Sequence, residues 1–193
     1  MMWMCVGLLM IGSAAAQVPF LGGCPKVEVL ANFDPQKYLG KWYEAERYFA
    51  FFEFGGKCVT ATYNVNANGT ISVANRQISI LSGVATSIEG YAAQKTQEKA
   101  KLSVAFPSLP VQFDAPYWIL DTDYTTYSVV WSCSDFGIFS TRNAWILTRE
   151  QHPPVATLEK AYQALDKNKI TRAFFIRTDQ KNCPEDVETN QVS

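Results

Sequence analysis

Apolar and polar residues alternate with a period of two along most of this chain. Val59, Ala61, Tyr63 and Val65 interleave with Thr60, Thr62, Asn64 and Asn66, and Ile71 and Val73 resume the pattern after Asn68-Gly69, a pair suited to a hairpin tip. Further on, Leu102, Val104 and Phe106 alternate with Lys101, Ser103 and Ala105. Trp118 and Leu120 run up to a polar break at Asp121 to Tyr124, beyond which Tyr127, Val129 and Trp131 share one face. In the last long run Thr141, Asn143, Trp145, Leu147 and Arg149 fall on one face, Ala144 and Ile146 on the other. Short alternating runs at this spacing, with no linker or repeat between them, predict one antiparallel all-β domain.

One segment changes period. After Pro153-Pro154, Val155, Leu158, Ala161, Tyr162 and Leu165 recur at helical spacing, which predicts a single late helix ending at Asp166-Lys167-Asn168. A short strand is expected over residues 173–177.

The two ends change the picture. Met1 to Ile11 is an apolar run too short to span a bilayer, and the small residues Ser13 to Ala16 follow it. Residues 1–16 therefore read as a cleaved secretory signal, and residues 17–193 as a single extracellular domain. Cys5 leaves with the signal, and an even set remains: Cys24, Cys58, Cys133 and Cys183. In a secreted chain that reads as two disulfides, with three pairings open. A sequon, Asn68-Gly69-Thr70, marks Asn68 for glycosylation on the exposed tip.

Charge and chemistry mostly exclude. With 17 basic and 18 acidic residues and no long run of one sign, the surface lacks the field that grips nucleic acid. His152 is the one histidine, no Cys-x-x-Cys spacing occurs, and no phosphate-binding glycine loop is present, so neither a metal site nor an enzyme is expected.

Three short segments carry a resemblance: Gly40-Lys41-Trp42, Thr122-Asp123-Tyr124, and Arg149 after Trp145-Ile146-Leu147-Thr148. Together they resemble the signature regions of the lipocalins. The similarity continues through Ala115 to Leu120 and Asp179 to Pro184, toward the apolipoprotein D group with its Lazarillo-like and bilin-binding arthropod relatives. The resemblance implies an eight-stranded antiparallel up-and-down β-barrel with one C-terminal helix packed outside. It implies the pairings Cys24 with Cys133 and Cys58 with Cys183, and a secreted carrier of a small hydrophobic ligand (fatty acid, steroid or similar lipid), not an enzyme. The alternative within the family is a bilin or carotenoid pigment protein. No cofactor is expected beyond such a bound lipid or bilin.

Residue by residue, Tyr63, Phe106 and Trp145 sit on apolar strand faces and match pocket positions of the family, and Trp118 and Tyr48 are expected to join them. Trp42 and Arg149 are expected to meet where the first and last strands converge, guanidinium over indole, plugging the closed end. Thr122, Asp123 and Tyr124 are expected to satisfy a turn there. Phe49, Phe51, Phe52 and Phe54, followed by Gly55-Gly56, fall in the long loop over the mouth. They read as a hydrophobic lid or as a surface that docks on a lipoprotein or membrane. All four methionines lie within the signal, so the mature chain holds none for methionine-based scavenging.

Overall fold

Alternating side chains demand two chemically different faces, and a closed barrel supplies them. The computed structural model describes residues 18–48, 55–67, 70–109 and 114–184. Its strands are β1 (Val18–Leu21), β2 (Gly40–Tyr48), β3 (Gly56–Val65), β4 (Ile71–Ser79), β5 (Ala85–Gln94), β6 (Lys101–Ala105), β7 (Ala115–Thr122), β8 (Tyr127–Asp135), β9 (Phe139–Thr148) and β10 (Phe175–Arg177). Its helices are α1 (Pro35–Tyr38) and α2 (Val155–Lys167). From β2 to β9 each strand pairs antiparallel with the next, and β9 pairs back onto β2, closing an eight-stranded barrel. Outside that ring, β1 pairs with Phe139 to Arg142 of β9, and β10 pairs with Glu46 to Tyr48 of β2.

The two faces bury different cores. Trp42, Tyr63, Val73, Leu102, Val104, Val130 and Leu147 pack inside the barrel. Val129, Trp131, Ala144 and Ile146 point outward and meet Leu158, Ala161 and Leu165 of α2. Strands β8 and β9 are thus covered on both sides, and most of their residues are buried. The amide of Asn168 donates to the Ala164 carbonyl and closes α2 (3.1 Å).

β1, β5, α1 and the final strand depart from the sequence expectation. β5 lies largely exposed and reads as polar, so alternation does not announce it. α1 forms because Pro35 occupies its first turn and the Asp34 carboxylate accepts from the Gln36 amide (3.0 Å). The final strand begins at Phe175 instead of residue 173, because the Thr171 hydroxyl accepts from the Ala173 amide and turns Arg172–Phe174 into a 3-10 helix. Residues 1–16, expected as a signal, the sequon asparagine Asn68 and the phenylalanines Phe49, Phe51, Phe52 and Phe54 lie outside the described residues.

Two disulfides fasten the chain ends to the barrel, Cys24 to Cys133 and Cys58 to Cys183, with Cα separations of 5.9 and 5.6 Å. They close loops of 109 and 125 residues. Each restricts the unfolded chain by about 4 kcal/mol in the chain-entropy model.

One end of the barrel is sealed by Arg149. Its guanidinium lies 3.7 Å over the Trp42 ring. Its nitrogens donate to the carbonyls of Lys41 (2.8 Å), Leu39 (2.9 Å) and Tyr124 (3.0 Å). Trp42 in turn donates its indole N–H to the Tyr38 carbonyl (2.8 Å). The chain can pass this close because Gly40 adopts φ +91, and a Cβ there would stand 3.4 Å from the Arg149 guanidinium. Asp123 holds the adjacent turn, accepting from the amides of Thr125, Thr126 and Tyr127 and from the Thr126 hydroxyl. Partial burial works against its ionisation, but these donors outweigh burial and hold its carboxyl below the ordinary range.

Replacing Trp42 with Ala removes a fully buried side chain and uncovers the guanidinium. A loss of roughly 3 to 5 kcal/mol is expected, lowering the melting temperature by roughly 10 °C in a thermal circular-dichroism scan.

Candidate ligand-binding site

Strand parity decides which side chains can meet a ligand inside the barrel. On β9, Trp145 and Leu147 face the interior cluster while Ala144 and Ile146 face α2. On β7, Tyr117 and Ile119 face inward and Trp118 outward. Phe106, just beyond β6, turns inward over β5.

Tyr63, Phe106 and Trp145 come together on this inner surface. Tyr63 is buried, whereas Phe106 and Trp145 keep partial exposure within the barrel. Phe106 owes its position to Gly90, where a Cβ would fall 2.7 Å from the Phe106 ring and 2.2 Å from the Ala105 carbonyl oxygen. Tyr48 and Trp118 are not part of the surface, contrary to expectation. Tyr48 stacks edge-on against Trp131, Phe174 and Phe175 on the helix side and donates its hydroxyl to the Thr171 carbonyl (2.7 Å). Trp118 packs on the same outer side beneath the Lys101 ammonium, 5.0 Å from its ring. Each sits one residue out of phase with the interior positions.

The sequence reading missed a cluster of phenols at the bottom of the interior. The Tyr117 hydroxyl lies 2.6 Å from that of Tyr63 and 3.2 Å from that of Tyr38, which also reaches the Ser128 hydroxyl at 3.0 Å. Tyr117 stands next to Trp118, and strict alternation from the inward Ile119 would have selected it. Tyr38 carried no such signal, because it enters from α1 and not from a strand. Burial pushes the Tyr38 phenol up to about 12 against the opposing hydrogen bonds of Ser128 and Tyr117. Burial likewise drives Tyr63 and Tyr117 well above their ordinary range.

An ion pair completes the interior. Arg47 stands directly across from Trp145 in the β2–β9 pairing and donates to the Glu44 carboxylate at 2.6 Å. Thr178 bridges the two, donating to Glu44 (2.5 Å) and accepting from Arg47 (3.1 Å). Gln180 donates to the carbonyls of Glu44 and Val59, both at 2.9 Å. Burial pushes the Glu44 carboxyl up, and Arg47 and Thr178 counter it. Two surface recesses, about 210 Å³ beside Thr60 and Arg76 and about 460 Å³ between Tyr162 and Arg177, lie outside the barrel with charged linings.

Residues 39–182 match the model of the lipocalin / cytosolic fatty-acid binding protein family. The chain is a lipocalin. Apolipoprotein D of Macaca fascicularis is 41% identical to this lipocalin over 182 residues, 91% of this chain and 92% of the relative. The Lazarillo protein of Schistocerca americana is 34% identical over 82% of this chain and 75% of its own. Among solved structures, insecticyanin from the tobacco hornworm Manduca sexta superposes with a TM-score of 0.75 at 26% identity, covering 84% of this chain and 89% of its own. Lobster apocrustacyanin A1, at 22% identity, shares the fold with a TM-score of 0.67 over 76% of this chain and 79% of its own.

Two outcomes test this lipocalin's interior. An unfolded phenol titrates near 10. The folded state therefore keeps protons that the unfolded state releases, so stability is intact below about pH 10 and falls as pH rises through about 12. Denaturant titrations across alkaline pH should show that decline, with a shallower slope for Tyr38→Phe. Gly90→Ala, which forces Phe106 aside, should lower both stability and the affinity of any ligand that quenches Trp145.

Proposed function

We propose that this lipocalin is a secreted carrier that binds a small hydrophobic ligand, a fatty acid, steroid or similar lipid, inside the barrel. The observation that carries the reading is the inner surface formed by Phe106, Tyr117 and Trp145, aromatic walls that keep partial exposure within a closed barrel. A ligand burying ~350 Å² of apolar surface there gains about 9 kcal/mol gross, which ordering costs reduce to roughly micromolar affinity. Binding, not catalysis, fits the four described cysteines, which are spent as disulfides and offer no thiol nucleophile. The same disulfides suit an extracellular protein.

The mouth supports a lipid-facing role. The β4–β5 and β8–β9 hairpins turn at the end opposite Arg149. Their tips expose Leu81 (95%) and Ile138 (84%). We infer that these tips and the phenylalanine loop dock on a lipoprotein or membrane surface when ligand is exchanged. Replacing Phe51 and Phe52 with Ser should reduce flotation with liposomes; undiminished flotation removes the docking role.

A second reading, a bilin or carotenoid carrier, is favoured by the likeness to insecticyanin together with the arthropod resemblance. Titrating the oxidised protein with a fatty acid, a steroid, a retinoid and biliverdin, followed by tryptophan quenching, separates the two. Saturable quenching by colourless lipids at about micromolar concentration is expected. Much tighter biliverdin binding would make it a pigment protein, and silence from all four would overturn the carrier reading.

A further inference from the structure

Toward the mouth, the interior-facing side chains of β8 and β9 turn from apolar to polar. Beyond Trp145 toward the mouth, β9 presents Asn143 and Thr141 to the interior, since their parity is that of Trp145 and Leu147 and the β8–β9 register runs unbroken. Directly across on β8 stand Ser132 and Ser134. Asn143 is 3% exposed and Thr141 8%, yet among the described residues the Asn143 carbonyl oxygen and the Thr141 hydroxyl meet no hydrogen-bonding partner. Leaving such groups buried and unpaired is destabilising. A fold maintains that cost where something else completes the bonds.

The chemistry of the orphans narrows what completes them. An amide carbonyl accepts only, while a threonine hydroxyl both donates and accepts. The two residues are two apart on one strand face, roughly 7 Å between Cα atoms, so a single group lying between them can reach both. A carboxylate has no proton to offer the Asn143 carbonyl oxygen and would leave it unpaired. The cation nearest in register, Arg47 opposite Trp145, is already held by Glu44 at 2.6 Å. An alcohol fits: it donates to the Asn143 carbonyl and accepts from the Thr141 hydroxyl.

We propose that Asn143 and Thr141 form a hydroxyl-recognising subsite, so that the ligand is a neutral lipid alcohol whose polar end points toward the mouth and whose apolar body lies against Trp145 and Phe106. This rests on the carrier reading and sharpens its ligand class.

All-trans retinol and all-trans retinoic acid share one skeleton and differ at the polar end, which makes them the probes. At neutral pH retinol should bind the oxidised protein about tenfold more tightly than the acid, by tryptophan quenching. Asn143→Leu should bring the two affinities within about threefold, mostly by weakening retinol. Its melting temperature should stay level or rise, because the substitution removes an unpaired buried amide. Thr141→Val, a second variant, should narrow the gap in the same direction. Equal affinities in the wild type, a tighter acid, or a preference that survives both substitutions would overturn the subsite and leave the carrier intact, since both retinoids would still bind. If neither retinoid nor any other lipid binds, the carrier reading fails and the subsite with it.

Discussion

The hydrogen bonds between β9 and β2 turn an open sheet into a closed one, and most other features of the molecule inherit their position from that seam. Tyr43 pairs with Thr148 and Arg47 with Trp145, with a bulge at Ala45 between Glu44 and Glu46. The bulge inserts one residue and shifts the phase of β2, so that Trp42, Glu44 and Arg47 all face inward although they are not evenly spaced. Without the seam, Arg149 would have no Trp42 to cover and Trp145 would line no enclosed space. Closure also removes the unpaired strand edges through which an open sheet of this length would associate with other chains.

Because the barrel is closed, each strand must choose what it gives to the interior and what it gives to α2. β8 and β9 meet both demands along one stretch of chain. Val130, Trp145 and Leu147 build the interior, while Val129, Trp131 and Ile146 seat the helix. A one-residue error in reading such a strand moves a residue from the pocket to the helix seat.

That is where legibility in the sequence ended. The barrel strands with clean alternation, the late helix and the meeting of Trp42 with Arg149 could be read from residue spacing and family signatures. β5 could not, because its exposed, polar composition carries little periodicity. Tyr48 was misplaced because the Ala45 bulge, invisible in the residue pattern, changes the parity of the strand beyond it. Trp118 differs for another reason: it shares the outward face of β7 with Leu120, and its neighbour Tyr117 is the inward residue. Tyr38 reaches the interior from a four-residue helix, so no strand pattern could announce it. The buried role of Thr178 and Gln180 depends on a return of the chain across more than a hundred residues, which local sequence does not encode.

That return has a consequence for biogenesis. Glu44 and Arg47 leave the ribosome early, but the residues that satisfy them, Thr178 and Gln180, are among the last described before the second disulfide closes at Cys183. A nascent chain lacking its final segment would hold a buried ion pair short of its bridge, and a β-topology rich in distant contacts is slow to assemble in any case. The barrel therefore completes itself only once the segment carrying Thr178 and Gln180 has returned to β2. A chain truncated ahead of Thr178 would expose its apolar inner face to the chaperones and proteases that monitor unfinished proteins.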